Sequence, residues 1–455
     1  MRPPKPAARP DKVSLWRYLR LFRADILSAQ PAKLYRAWMA EFRTPFFHSV
    51  MVNDLAVIRT VLNDRPDDFP KSDRVGSGLR PLLGNSVFLT NGAVWKRQRR
   101  IIDPAFEEGG RLRETYPAIH AAGQAAAARL ARLADGAPQE VEFEASHAAA
   151  DVIFRTLFSV PIEDRVAAQV FDQFRSYQRT QPILNLAAFL PGPSWMPRFY
   201  KRRTKQTAKA IRALIRQMVT GRLTQIADGT APDDLCTKIL TATDPQSGDR
   251  FDATEMVDQV AIFFLAGHET SASALAWTLY LLATHPDWQD RVAAEAAGFS
   301  GEFADLAKLR VTRDVFREAL RLYPPVPMMV REATGPETFR GRALARGAQI
   351  VLSPWHLHRH ERIWPAPDDF DPARWQTEAG RACARDAYMP FSSGARVCVG
   401  AGFAMVEGVV LLAALLRDFR FEAVKDRVPV PVAYLTVRAR DGIWLKISRR
   451  APATP

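Results

Sequence analysis

The sequence predicts a mainly α-helical fold with a small β portion, organised as one large domain over residues 1–455. Three observations carry this. Helical apolar periodicity recurs along most of the chain, alternating β-like runs are few and short, and neither an internal repeat nor a linker divides the sequence. Residues 51–65 read as a short strand running into a helix, and helices follow at about 93–106, 112–134, 140–158, 162–180, 201–227, 252–285, 287–297, 312–323 and 402–417. The β-like runs are 348–352, 434–437 and 443–447, while the Pro- and Gly-containing stretches 190–197 and 226–233 read as loops.

The longest helix opens with Asp252-Ala253-Thr254-Glu255, in which Asp252 caps the first turn and Glu255 reaches back to the cap, and it stops before Pro286. At ~1.5 Å per residue it is about 50 Å long, enough to cross a large domain. Its segment 259–286 is apolar on nearly every face and has the length of a membrane span. His268 and Glu269 fall mid-span, however, where an ionisable group costs roughly 2.5–3.5 kcal/mol. The buried axis of a large domain is the better reading.

Hydrophobic residues make up 47% and charged residues 25%, which excludes a disordered chain and gives ample core. Residues 1–12 are proline-rich and basic, read as a flexible tail with no signal peptide or anchor behind it. Three irregularly spaced cysteines, Cys236, Cys383 and Cys398, argue against a disulfide framework and for a reducing, cytoplasmic setting. The net charge is +14, with basic clusters at 95–100 and 198–203. Without zinc-finger spacing, a basic region leading into heptads, or an aromatic-basic RNA signature, nucleic acid is the weaker partner. An acidic protein or an anionic membrane surface remains.

Four constellations bear chemistry. In Phe391-Ser392-Ser393-Gly394-Ala395-Arg396-Val397-Cys398-Val399-Gly400, a cysteine follows a glycine-bearing loop and precedes a helix, whose N-terminus favours a thiolate. Gly394 and Gly400 leave room for a flat cofactor, and Arg396 supplies a fork for a carboxylate. The plain alternative is a structural cysteine. On the long helix, Ala266 and Thr270 share a face with Phe263 a turn earlier, and Glu269 and Thr270 form an acid–alcohol pair suited to moving protons. Alternatively Thr270 and Ser271 bond the carbonyl four residues back, and Glu269 sits in a buried ion pair. A zinc-protease reading of His268-Glu269 fails, because Ala272 stands where the second histidine is required. Glu318 and Arg321 lie three apart on one helix face, ahead of Tyr323-Pro324-Pro325. Trp95 and Arg99 share a face of another helix.

Together these residues resemble the cytochromes P450. Phe391, Gly394, Arg396, Cys398 and Gly400 match the cysteine-ligand loop, with Ser392 where many relatives have glycine. Residues 266–271 resemble the oxygen-activation motif, Glu318 and Arg321 the Glu-x-x-Arg helix, and Arg374 in Asp371-Pro372-Ala373-Arg374-Trp375 the third member of that charge network. The matches fall in family order across the chain.

The resemblance implies a triangular-prism fold and haem b, with Cys398 as the axial ligand of its iron and O2 as co-substrate. It also implies that Trp95, Arg99, Arg396 and Arg331 meet the haem propionates, and that Glu269 and Thr270 deliver protons. For Arg331 a surface salt bridge is the competing reading. Electrons would come ultimately from NAD(P)H through a separate ferredoxin or flavodoxin-type partner, docked near Lys96, Arg97 and Arg100. Leu82, Leu83, Val87, Phe88, Phe263, Ala266, Val326, Met328 and Met329 are the expected lining of a pocket for a lipophilic substrate, and 182–197 the expected apolar lid, with transient membrane contact. The rival readings are a haem-thiolate isomerase, dehydratase or peroxygenase, a haem-binding sensor or carrier, and a basic nucleic-acid-binding protein.

Overall fold

The computed structural model describes residues 2–44, 47–106, 110–180 and 202–451. The expected lid at 182–197 lies outside the described residues, as does the basic cluster at 198–203 up to Lys201.

The helix Ala253–Thr284 is the axis of the molecule. Both halves of its capping box form: the Asp252 carboxylate accepts from the Thr254 and Glu255 N–H groups at 2.7 Å, and Glu255 returns to the Asp252 N–H at 3.1 Å. Residues 256–265 and 273–282 are buried without interruption, which is why the segment is apolar all round. Helices Gly110–Leu130, Val141–Phe158, Arg310–Leu322 and Ala401–Asp418 pack around its C-terminal half, sharing one apolar core with Trp277 stacked on Tyr323 at 4.0 Å. Arg165–Thr180 and Arg202–Ala227 cover its N-terminal half through a second core.

The β portion is small. Strands Met39–Thr44, Phe47–Val52, Gln349–Leu352 and Met329–Glu332 form a four-stranded sheet in that order, with Phe47–Val52 and Gln349–Leu352 parallel. Asp135–Glu140, Trp444–Arg449 and Phe419–Ala423 form a three-stranded sheet, and Pro431–Ala433 pairs with Val437–Ala439. The expected strand at 434–437 is therefore mostly the turn of that last hairpin; its alternation continues from the flanking strands.

Residues 2–12, expected as a flexible tail, lie along the body instead. Pro3 and Pro6 are buried, the Tyr323 hydroxyl donates to the Pro4 carbonyl at 2.8 Å, and Lys5 pairs with Asp368. Among the described residues no helix is long and apolar enough to cross a membrane.

Candidate active site

Cys398 ends a tightly folded loop between the turn Gly394–Arg396 and the helix Ala401–Asp418. Its N–H donates to the Phe391 carbonyl at 2.9 Å, closing the loop, and the Gly400 N–H is directed at its sulfur. Burial pushes the Cys398 thiol up, while the Gly400 N–H and the Arg99 charge oppose that shift. Cys398 as a residue nonetheless retains accessible surface. Cys236 is different: it is fully buried, and burial pushes its thiol to about 12.

The two loop glycines serve separate ends. Gly394 has φ +68°, and a Cβ there would meet the Leu62 carbonyl oxygen at 2.0 Å, so its bare backbone lets the loop press against residues 62–63. Beside Gly400 nothing lies within 4 Å of where a Cβ would stand, leaving open space by the sulfur. Gly267 on the central helix does not make room for a cofactor; a Cβ there would strike Ile153, so it permits close helix packing.

Ser392 has φ +65°, a left-handed conformation that costs a non-glycine residue roughly 1–2 kcal/mol. Glycine at this position relieves that strain. Ser392→Gly is therefore expected to stabilise the protein by about 0.5–1 kcal/mol after the added entropy of the unfolded chain, read as a higher urea midpoint.

Beside the loop, three cations gather round one indole. Trp95 is buried, and Arg396, Lys71 and Arg99 lie 4.8, 5.7 and 5.8 Å from its ring centre. Arg331 joins them through the Lys71–Arg331 backbone bridge. It is buried, has no ion pair among the described residues, and burial with the nearby Arg396 lowers it to about 10. The surface salt bridge is thus excluded for Arg331. Arg396 donates to the Pro66 carbonyl at 2.7 Å and stands 3.9 Å from Asp67, with its Nε lacking any acceptor. Arg99 pairs with Asp103 and donates to the Val397 carbonyl at 2.9 Å, tying its helix to the cysteine loop. Lys71 was not visible to sequence reasoning. Burial and the charges of Arg396, Arg331 and Arg99 push its ammonium down to about 7. Lys71 and Arg331 have no carboxylate partner among the described residues, and a ligand bearing two carboxylates would supply one.

Between its two buried runs the central helix keeps accessible surface. Ala266 is exposed and Gly267, Thr270 and Ser271 are half-buried, although the helix is buried on both sides of them. The Thr270 hydroxyl donates to the Ala266 carbonyl at 2.5 Å. Glu269 is buried, and its Oε1 accepts from the Thr436 hydroxyl at 2.6 Å and from Arg438. Thr436 lies in the turn of the C-terminal hairpin and Arg438 on its second strand, so the ion-pair reading of Glu269 holds. Ser271 does not bond back to its own helix; its hydroxyl donates to Glu407 Oε2 at 2.7 Å. Glu407 is fully buried, and burial raises its carboxyl to about 8 despite that bond. An acid alone in the apolar run 401–416 was a signal that sequence reasoning passed over.

The family described as Cytochrome P450 matches residues 32–442. This chain is a cytochrome P450. A cyclooctat-9-en-7-ol 5-monooxygenase of Streptomyces melanosporofaciens is 33% identical over 76% of this chain and 74% of its own length. Cytochrome P450 4A7 of Oryctolagus cuniculus is 31% identical over 84% of this chain and 78% of its own. The crystal structure of the cytochrome P450DA heme domain superposes with a TM-score of 0.81 at 22% identity, covering 99% of this chain and 98% of that one, so the overall fold is the P450 fold. P450 membership brings haem b, O2 and NAD(P)H-derived electrons delivered by partner proteins.

The residues of this P450 fit haem: a cysteine with accessible surface at the end of its loop, open space at Gly400, an exposed helix face at Ala266, and the buried cations Lys71 and Arg331 without carboxylate partners among the described residues. Cys398 would hold the iron, and Arg331, Arg396 and Lys71 the propionates. When bound, the haem supplies oxygen activation, which a thiolate ligand favours.

The P450 charge network is complete and lies entirely inside. Glu318 Oε1 accepts from Arg321 Nη2 at 2.7 Å and Arg374 Nε at 3.2 Å, while its Oε2 accepts from Arg321 Nε at 2.9 Å. Arg374 thus meets Glu318 and makes no bond to Arg321; one carboxylate serves two guanidinium groups.

The expected pocket residues divide. Ala266, Phe88, Val87, Val326, Met328 and Met329 keep accessible surface, whereas Leu82 and Leu83 have none. Those two leucines belong to the core with residues of helix Arg202–Ala227, and their apolarity reflects packing. Phe263 is buried against Phe106, with ring centres 5.5 Å apart. The expected docking charges are not a free patch either: Lys96 pairs with Asp67, Arg97 with Glu255 and Arg100 with Asp244.

Proposed function

We propose that this P450 inserts one atom of O2 into a lipophilic substrate, by hydroxylation or epoxidation, with electrons handed over by a separate ferredoxin or flavodoxin-type protein. The observation that supports it most is the opening of the buried central helix around Ala266 and Thr270, where a hydroxyl lies beside apolar side chains. Ala266, Phe88, Val326, Met328 and Met329 offer hydrocarbon contact and no charge, which selects for substrates rich in apolar surface. The relative named for oxygenating cyclooctat-9-en-7-ol, an unsaturated alcohol, suits that chemistry. Fatty acids, terpenoids, steroids and aromatics are the classes to titrate, each read by its shift of the haem absorption band.

Thr270 is the residue proposed to hold the proton at the oxygen site. Its hydroxyl rests on the Ala266 carbonyl and can turn from it without leaving the helix face. Glu269 is proposed as the supplier. Its Oε2 takes no hydrogen bond from the described residues, while Oε1 is fixed by Thr436 and Arg438. This arrangement keeps a carboxylate oriented beside Thr270 in the chain and prevents it from swinging freely. Thr270→Ala is expected to lower product formed per NAD(P)H by about tenfold or more, with peroxide rising in compensation. Unchanged coupling would remove Thr270 from proton delivery and leave the ligand assignment untouched.

A further inference from the structure

A run of unpaired positive charge lies on the helix Leu15–Ala24. The helix carries three arginines and no acid, and Ser14 caps it by accepting from the Arg17 N–H at 3.3 Å. Arg17, Arg20 and Arg23 make no ion pair among the described residues, and neither does Lys12 just before the helix. This contrasts with Lys96, Arg97 and Arg100, each held by a carboxylate.

The helix also keeps its largest apolar groups outside. None of its residues is buried; Trp16 is 84% exposed and Leu15 49%. Its other side seats it on the body: Tyr18, Leu19, Leu21 and Phe22 are half-buried, and the Tyr18 ring centre lies 4.5 Å from that of Phe42. Of the nearest acids, Asp25 is buried and accepts from the Leu27, Ser28 and Ala433 N–H groups, so it does not balance the arginines. Asp11 alone stands exposed at the edge of the patch.

We propose that the helix Leu15–Ala24 docks this protein on an anionic lipid surface, with Trp16 and Leu15 entering the boundary between headgroups and acyl chains and Lys12, Arg17, Arg20 and Arg23 binding lipid phosphates. An indole at the outer end of a cationic helix suits that boundary, where its ring is buried and its N–H stays wet. A charged protein partner would account for the arginines and leave Trp16 without a role. The inference rests on this surface alone and stands whatever the substrate proves to be. With a lipophilic substrate, the bilayer becomes its reservoir.

The test is flotation of the purified, haem-loaded full chain with vesicles of phosphatidylcholine alone or mixed with phosphatidylglycerol. The protein is expected to float with the mixed vesicles and to stay behind with phosphatidylcholine. Each Arg→Gln change at 17, 20 or 23 should lower partitioning about fivefold, and Trp16→Ser should lower it further. Arg420→Gln, at a half-buried arginine paired with Asp290, should change nothing. An unchanged far-ultraviolet circular dichroism spectrum shows that each variant is folded. Equal binding to both vesicles, retention of binding in the triple arginine variant, or no flotation at all would each overturn the proposal; in the last case an acidic protein is the partner class left for the arginines.

Discussion

Glu318→Ala should cost this P450 about 3–5 kcal/mol of stability, a large share of what holds a domain folded. Glu318 and Arg321 have no exposed side-chain surface and Arg374 has 5%, so neither guanidinium can turn to water when the carboxylate goes. Their remaining contacts are backbone carbonyls: Arg321 donates to His358, Pro367 and Asp369, and Arg374 to Pro365 and Ala366. Those bonds orient the segment 365–374 and spread the positive charge, but they do not neutralise it. Glu318→Gln keeps the shape and loses the charge, so it should fall between wild type and alanine. Urea denaturation reads both. A stability loss below 1 kcal/mol for Glu318→Ala would mean that the carbonyls alone support the two cations.

The second large effect is expected at Gly394, where two separate penalties coincide. An alanine methyl would stand 2.0 Å from the Leu62 carbonyl oxygen and 3.2 Å from the Asn63 Cα, both parts of the backbone that cannot turn aside. The φ of +68° adds roughly 1–2 kcal/mol for any residue with a Cβ. Overpacking typically adds about 1–3 kcal/mol more. Because Gly394 opens the turn that carries Arg396 and leads to Cys398, the loop must move to relieve the clash. Gly394→Ala is expected to express with strongly reduced haem content, measured as haem per polypeptide after purification. Full haem loading would show that the loop can retreat from residues 62–63 without disturbing the thiolate.

What was legible in the sequence was local. The capping box at Asp252 and Glu255, the glycine-bearing run up to Cys398, and the Glu318–Arg321 spacing are each contained in a few residues, and each folds as its chemistry dictates. Partnerships across the chain were not legible. Lys71 sits in a loop without periodicity, and its backbone bonds to Asn91 and its bridge to Arg331 bring it to Trp95. Arg438 reaches Glu269 from 169 residues away, and nothing near either residue announces the pair. The basic cluster at 95–100 shows the same limit in reverse. Its charges were read correctly, but their carboxylate partners Asp67, Asp244 and Glu255 come from two other regions of the chain. Leu82 and Leu83 are packed core, and their apolarity alone does not distinguish that from a wall facing a cavity.

The central claim is that Cys398, as a thiolate, holds haem iron in this cradle. The most direct measurement is the visible spectrum of the dithionite-reduced protein under carbon monoxide, taken for wild type and for Cys398→Ala. The account predicts a strongly red-shifted Soret band in the wild type and its loss in the variant. A wild-type spectrum without that shift, or the same shifted band in Cys398→Ala, would contradict it.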